Sequence, residues 1–190
     1  MKRIVILVLL LISTAAALAQ QDEARGLLDS RQWAEAEAAY DSLLKSDPND
    51  PVALNNRGFA KHRLEKYDAA IKDYDKALKI KLHWSVALNN RGRALRHLHR
   101  YEDAQKDFSE AIEQNSESVH GWNNRGRTWA DLGEYQKGVS DLTRAISLDP
   151  AYSYPHYNRG ICYRALHQDK LADADFEQAL KLGYPRERLD

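Results

Sequence analysis

Small and apolar residues recur along most of the chain at intervals of three and four, the period of an amphipathic helix. Leu54, Arg57, Gly58, Lys61 and Leu64 share that spacing and predict one helix. Ala70, Ile71, Tyr74, Ala77 and Leu78 predict a second, with a short turn at Glu65–Lys66 between them. The pattern then repeats. Gly58, Gly92, Gly126 and Gly160 lie 34 residues apart, each preceded by Asn-Arg. Six residues after each glycine stands Leu64, Leu98, Leu132 or Leu166, and nineteen after it Ala77, Ala111, Ala145 or Ala179. Each period therefore reads as a pair of helices, and the fold class as all-α.

A glycine inside a helix costs about 1 kcal/mol relative to alanine. Its fourfold recurrence calls for a close approach by the second helix, with Ala70, Ala104, Gly138 and Ala172 as the small residues expected opposite. The residue before each glycine is arginine, and sixteen residues later comes aspartate. The pairs are Arg57 with Asp73, Arg91 with Asp107, Arg125 with Asp141, and Arg159 with Asp175. The spacing predicts an inter-helix salt bridge in each unit, the alternative being separately solvated charges. Counting back 34 residues gives Glu23 and Ala39, so the weaker first unit lacks both members. These arginines read as structural and not as binding groups.

The pattern resembles the tetratricopeptide repeat. The unit 119–152 carries it most fully, with Trp122, Gly126, Trp129, Gly133, Tyr135, Ala145 and Pro150. Units 51–84, 85–118 and 153–186 keep the glycine, the aromatic (Tyr74, Phe108, Phe176) and the alanine, but end in Leu82, Ser116 and Tyr184 where the family has proline. A degenerate unit over 20–50 keeps Trp33, Ala36, Tyr40 and Pro48. Residues 187–190 form a tail. The resemblance implies a right-handed superhelical solenoid of antiparallel helix pairs and a non-catalytic scaffold for protein or peptide partners.

Stacked pairs curve, so their first helices should line a groove. Repeat positions 2, 5, 6, 9, 12 and 13 should face it. Position 6 is asparagine four times: Asn56, Asn90, Asn124 and Asn158. Such amides can pair with an extended peptide backbone or with the next repeat. Arg93, Arg96, Arg127, Arg164, His97 and His120 make the groove basic, with Asp131 the main acid. An acidic or carboxylate-bearing peptide is the expected ligand. The lysines of the family's carboxylate clamp are missing. Tyr154, Tyr157 and Ile161 add apolar surface in the last unit.

Charge removes other classes. The chain has 28 Lys+Arg against 28 Asp+Glu, which gives no general attraction for nucleic acid. Its one cysteine, Cys162, excludes an internal disulfide and a cysteine-based zinc site, and falls where Ala60, Ala94 and Thr128 stand, a small packing position. His97 and His99 would point to opposite sides of a helix. No phosphate loop or nucleophile elbow is present, so neither catalysis nor a cofactor or metal is expected. A rival reading is self-assembly, with weak homodimers pairing through the solenoid's helix ends.

Lys2-Arg3, the apolar run Ile4–Ile12 and the Ala17-x-Ala19 ending together read as a secretory signal peptide over 1–19. Cleavage after Ala19 would leave no membrane span and place the protein in the periplasm or outside the cell. An uncleaved anchor is the alternative.

Overall fold

The computed structural model describes residues 18–185. The predicted leader up to residue 17 and the 187–190 tail lie outside the described residues. Ten α-helices, and no strand, occur among the described residues. The chain divides into two compact units, Met1–Leu82 and His83–Asp190. The first holds α1 (18–29), α2 (Trp33–Ser46), α3 (Pro51–Arg63) and α4 (Tyr67–Ile80). The second holds α5 (Ser85–His97), α6 (Tyr101–Gln114), α7 (Val119–Asp131), α8 (Tyr135–Leu148), α9 (Ser153–Ala165) and α10 (Asp169–Lys181). No described helix is long and apolar enough to cross a membrane.

Local chemistry sets the helix ends. Asp50 caps α3, its carboxylate accepting from the Val52 N–H at 2.8 Å, and Pro51 opens the helix where no N–H is needed. Ser118 caps α7 through the Gly121 N–H at 3.2 Å. Every first helix ends in the same left-handed residue, at Arg31, Glu65, His99, Gly133 and His167, with φ from 57° to 78°. The N–H of the following residue then closes a six-to-one bond, as from Lys66 to the Lys61 carbonyl at 2.9 Å. The expected turn at Glu65–Lys66 is thus one copy of a device used five times, and glycine fills it only at Gly133.

The recurrent glycines lie nearest to large side chains of the second helix. A Cβ on Gly58 would lie 2.7 Å from the Tyr74 ring, on Gly92 2.8 Å from Phe108, and on Gly160 2.6 Å from Phe176. The ring inserts between the helices of the pair, and glycine makes its space. At Gly126 the expected small partner comes close as well: its Cβ would meet Leu142 at 2.7 Å and the Gly138 carbonyl at 3.2 Å. Ala70, Ala104 and Ala172 are fully buried all the same. Gly138 has a further neighbour, because a Cβ there would lie 2.9 Å from Cys162 Sγ. The larger residue at 162 is thus accommodated by the smaller one at 138. In α1, Ala24 stands at the glycine position and is fully buried.

Candidate functional site

The first-helix arginines grip the second helices. Arg57 donates to both Asp73 oxygens at 2.9 and 2.6 Å, and Arg91 to those of Asp107 at 2.8 and 2.7 Å. Arg125 binds Asp141 at 2.7 and 2.9 Å, and Arg159 binds Asp175 at 2.7 and 2.8 Å. The four aspartates are buried and the arginines partly so. Asp73 also takes Lys61 at 2.8 Å. Hydrogen bonds to these carboxylates, outweighing burial, push Arg57 and Arg159 above the ordinary guanidinium range. A second function of the arginine emerges only in three dimensions. Its remaining nitrogen reaches the second helix of the preceding pair: Arg57 to Asp41 at 2.7 Å, Arg125 to Ser109 at 3.2 Å, and Arg159 to Thr143 at 3.0 Å. One guanidinium therefore ties three helices.

The asparagines are engaged with each other. In the second unit Asn158 donates to Asn123 at 2.9 Å, Asn123 to Asn124 at 3.3 Å, and Asn124 to Asn89 at 3.0 Å. Asn56 in the first unit accepts from Asn55 at 3.2 Å and donates to the Tyr40 hydroxyl at 3.0 Å. Cross-repeat pairing, one of the two expected uses, occurs at Asn56, Asn124 and Asn158. Asn158, only 2% exposed, cannot present its amide to a ligand. Its carbonyl oxygen is buried without a hydrogen-bond partner among the described residues. The reason is local: Tyr157 stands where Asn55 and Asn123 supply the donor in their repeats. Asn90 is half-buried in α5.

The expected cations separate into two sets. Arg164 folds outward onto α10, bonding Asp173 at 2.6 Å and Asp169 at 3.1 Å, so it leaves the predicted groove. Arg93, Arg96 and Arg127 remain half-buried on α5 and α7. Arg96 pairs with Asp131 at 3.0 Å. Arg127 makes no ion pair or hydrogen bond among the described residues. Burial, with Arg96 beside it, pulls its guanidinium below the ordinary range, while Asp131 pulls the other way. His97 and His120 are exposed.

Aromatic rings continue this face. His120 meets the Tyr152 ring edge-on at 5.2 Å, Tyr152 lies 5.4 Å from Tyr154, and Tyr154 lies 5.1 Å from Tyr184. Tyr184 stacks on Tyr157 at 4.2 Å with 17° between planes, and Tyr157 rests 5.5 Å from Phe176. Burial raises the Tyr152 hydroxyl pKa and Arg93 opposes that rise. Sequence reasoning missed Tyr152 and Tyr184. The one available signal was that Tyr184 stands at the closing position where Pro48 and Pro150 stand in their units. In the first unit the corresponding basic positions are occupied: Arg63 lies 4.6 Å over the Trp33 ring, and His62 is buried against Tyr67. No group of three or more His, Cys, Asp or Glu side chains that could hold a metal occurs among the described residues. Cys162 is fully buried, and burial pushes its thiol up to about 11.

The family profile of the tetratricopeptide repeat matches residues 22–82 and 89–153, most of the chain. The chain belongs to the tetratricopeptide repeat family. Among curated proteins none matches the sequence. Solved tetratricopeptide repeat structures share the fold. A MamA fragment from Desulfovibrio magneticus RS-1 is 21% identical, with a TM-score of 0.78 over 92% of this chain and 97% of that one. TTC0263 of Thermus thermophilus is 18% identical, with a TM-score of 0.76 over 90% and 93%. YrrB, described as a tetratricopeptide repeat protein with an unusual peptide-binding site, is 21% identical, with a TM-score of 0.70 over 90% and 88%. At these identities the likeness is one of fold.

Proposed function

We propose that this protein is a peptide-binding scaffold whose second unit captures a carboxylate-bearing segment at Arg127, flanked by Arg93 and Arg96. The observation that carries this reading is the half-buried Arg127 guanidinium, which has no ion pair or hydrogen bond among the described residues. Partly desolvated cations favour an anion, and a guanidinium fork matches a carboxylate with two parallel bonds. Membership of a family of interaction modules, and the fold shared with the peptide-binding YrrB, support a peptide as the class of ligand. Asparagine contacts play a smaller part than the sequence suggested, because the amides of Asn124 and Asn158 serve the stack.

The test uses short fluorescent peptides carrying Glu or Asp, and their Gln or Asn counterparts, titrated by polarisation. Acidic peptides should bind, weaken at high salt, and lose binding to Arg127→Met and to Arg93→Glu/Arg127→Glu. Equal binding of acidic and amide peptides, or full binding by Arg127→Met, would overturn the reading.

A second reading, pairing of copies through the last helix pair, draws on Leu171 and Ile161, which are exposed. The ion pairs of Arg164 with Asp169 and Asp173, and of Lys181 with Glu177, set charge along α10 and favour a solvated face. Light scattering across a concentration series separates the two readings.

Export completes the proposal. Residues 1–19 act as a leader, and cleavage after Ala19 would remove two residues from the described part of α1 and keep the buried Ala24. Amino-terminal sequencing of the protein recovered from the cell envelope and medium tests this. A mature chain starting at Gln20 is expected, and an intact Met1 start in the cytoplasm refutes it.

A further inference from the structure

We propose that Tyr184 is a built-in occupant of an aromatic subsite on α9, and that the peptide displacing it carries an aromatic side chain next to its carboxylate. The inference rests on the carboxylate reading above and adds a side chain to it. Tyr154 and Tyr157 stand three residues apart on α9 and so share one helix face. Their rings form the walls of a slot, backed by Phe176. The side chain in that slot belongs to neither helix. After α10, Gly183 adopts φ 85°, and the Tyr184 N–H bonds the Ala179 carbonyl at 2.9 Å. This turn brings the Tyr184 ring flat against Tyr157 and edge-on to Tyr154, leaving it 5% exposed.

Three observations identify the slot as a binding subsite rather than helix packing. Its walls stand on a helix, whereas its occupant stands beyond the end of α10, after a glycine turn. The second unit's other closing residues, Ser116 and Pro150, carry no ring, so the repeat itself does not call for one here. Arg127 lies within electrostatic range of both Tyr157 and Tyr184, so a ligand ring seated in the slot has a cation for a neighbouring carboxylate. A planar side chain replacing Tyr184 would regain the offset stacking and edge contacts that Tyr184 gives up. Because the occupant blocks the competent state, it lowers apparent affinity by the fraction of molecules in which the slot is open.

The test titrates a hexapeptide with an adjacent Trp–Glu pair, and versions with Ala for Trp or Gln for Glu, into wild type, Tyr184→Ala, Tyr154→Ala and Arg127→Met. Circular dichroism verifies the fold of each. Tyr184→Ala should bind the Trp–Glu peptide about tenfold more tightly than wild type and the Ala–Glu peptide no better. Tyr154→Ala should bind the Trp and Ala versions alike. If Tyr184→Ala gives no gain or a loss, or if Tyr154→Ala keeps the preference for Trp, the placeholder is overturned. In that case, loss of both Glu peptides by Arg127→Met leaves the carboxylate reading standing. Binding unchanged in Arg127→Met overturns both.

Discussion

The Arg125–Asp141 pair offers the sharpest test of what holds the helix pairs together. Asp141 is 8% exposed and its carboxylate takes two short bonds from Arg125, whose side chain is 20% exposed. Breaking a buried pair from one side costs about 3–5 kcal/mol. The two sides are unequal here. In Asp141→Ala the guanidinium keeps Ser109 at 3.2 Å and the Trp122 ring at 4.9 Å, and water reaches it. That places the loss at the lower end, about 3 kcal/mol. Arg125→Ala strands a buried carboxylate and cuts the tie to Ser109, so about 4 kcal/mol is expected. The double variant Arg125→Met/Asp141→Leu should come within about 1 kcal/mol of wild type, since apolar residues can replace a buried pair. Urea unfolding followed by far-ultraviolet circular dichroism measures all four proteins. Repeat proteins can lose cooperativity, so transitions are fitted with nearest-neighbour coupling between repeats. Losses below about 1 kcal/mol in both single variants would place the pair among surface ion pairs and refute the reasoning.

Three further outcomes follow from the packing. Gly92→Ala should lower stability by about 1–3 kcal/mol, because the new methyl meets the Phe108 ring at 2.8 Å and overpacking outweighs the gain in helix propensity; a raised urea midpoint would contradict this. Glu65→Gly should raise stability by about 1 kcal/mol, since Glu65 holds φ 60° in an exposed turn where its Cβ is strained; no gain would show that the turn bears no strain. The Cys162 thiol, pushed up to about 11 from 9.0 by burial, keeps its proton in the fold after the unfolded chain has lost it. The stability it contributes is intact below pH 9 and declines between pH 9 and 11. Cys162→Ala should flatten that decline by up to about 1.4 kcal/mol per pH unit, and alkylation of the native thiol should be slow until unfolding.

The sequence alone determined the repeat and what lies inside each pair. The 34-residue period, the two helices, the turn between them and the Arg–Asp register are all set by contacts between residues at fixed short separation. Four copies of each pattern made them legible. The left-handed turn residue was hidden in all but one copy, because arginine, glutamate and histidine replace the glycine that signals it. Tertiary structure decided which neighbour each exposed-looking side chain meets. In the sequence Asn124 and Asn158 could serve a ligand or the next repeat, and stacking brings them against Asn89 and Asn123. Arg96 and Arg164 hold the same repeat position and diverge. Arg96 finds Asp131 on the next first helix, whereas Arg164, on the last described pair, turns to the acids of α10. The same holds for Tyr184, whose partners lie about thirty residues away in sequence and 4–5 Å away in space. Periodicity encodes contacts that recur in every pair. It cannot encode those made once, where the pattern breaks, and the candidate site is built from these.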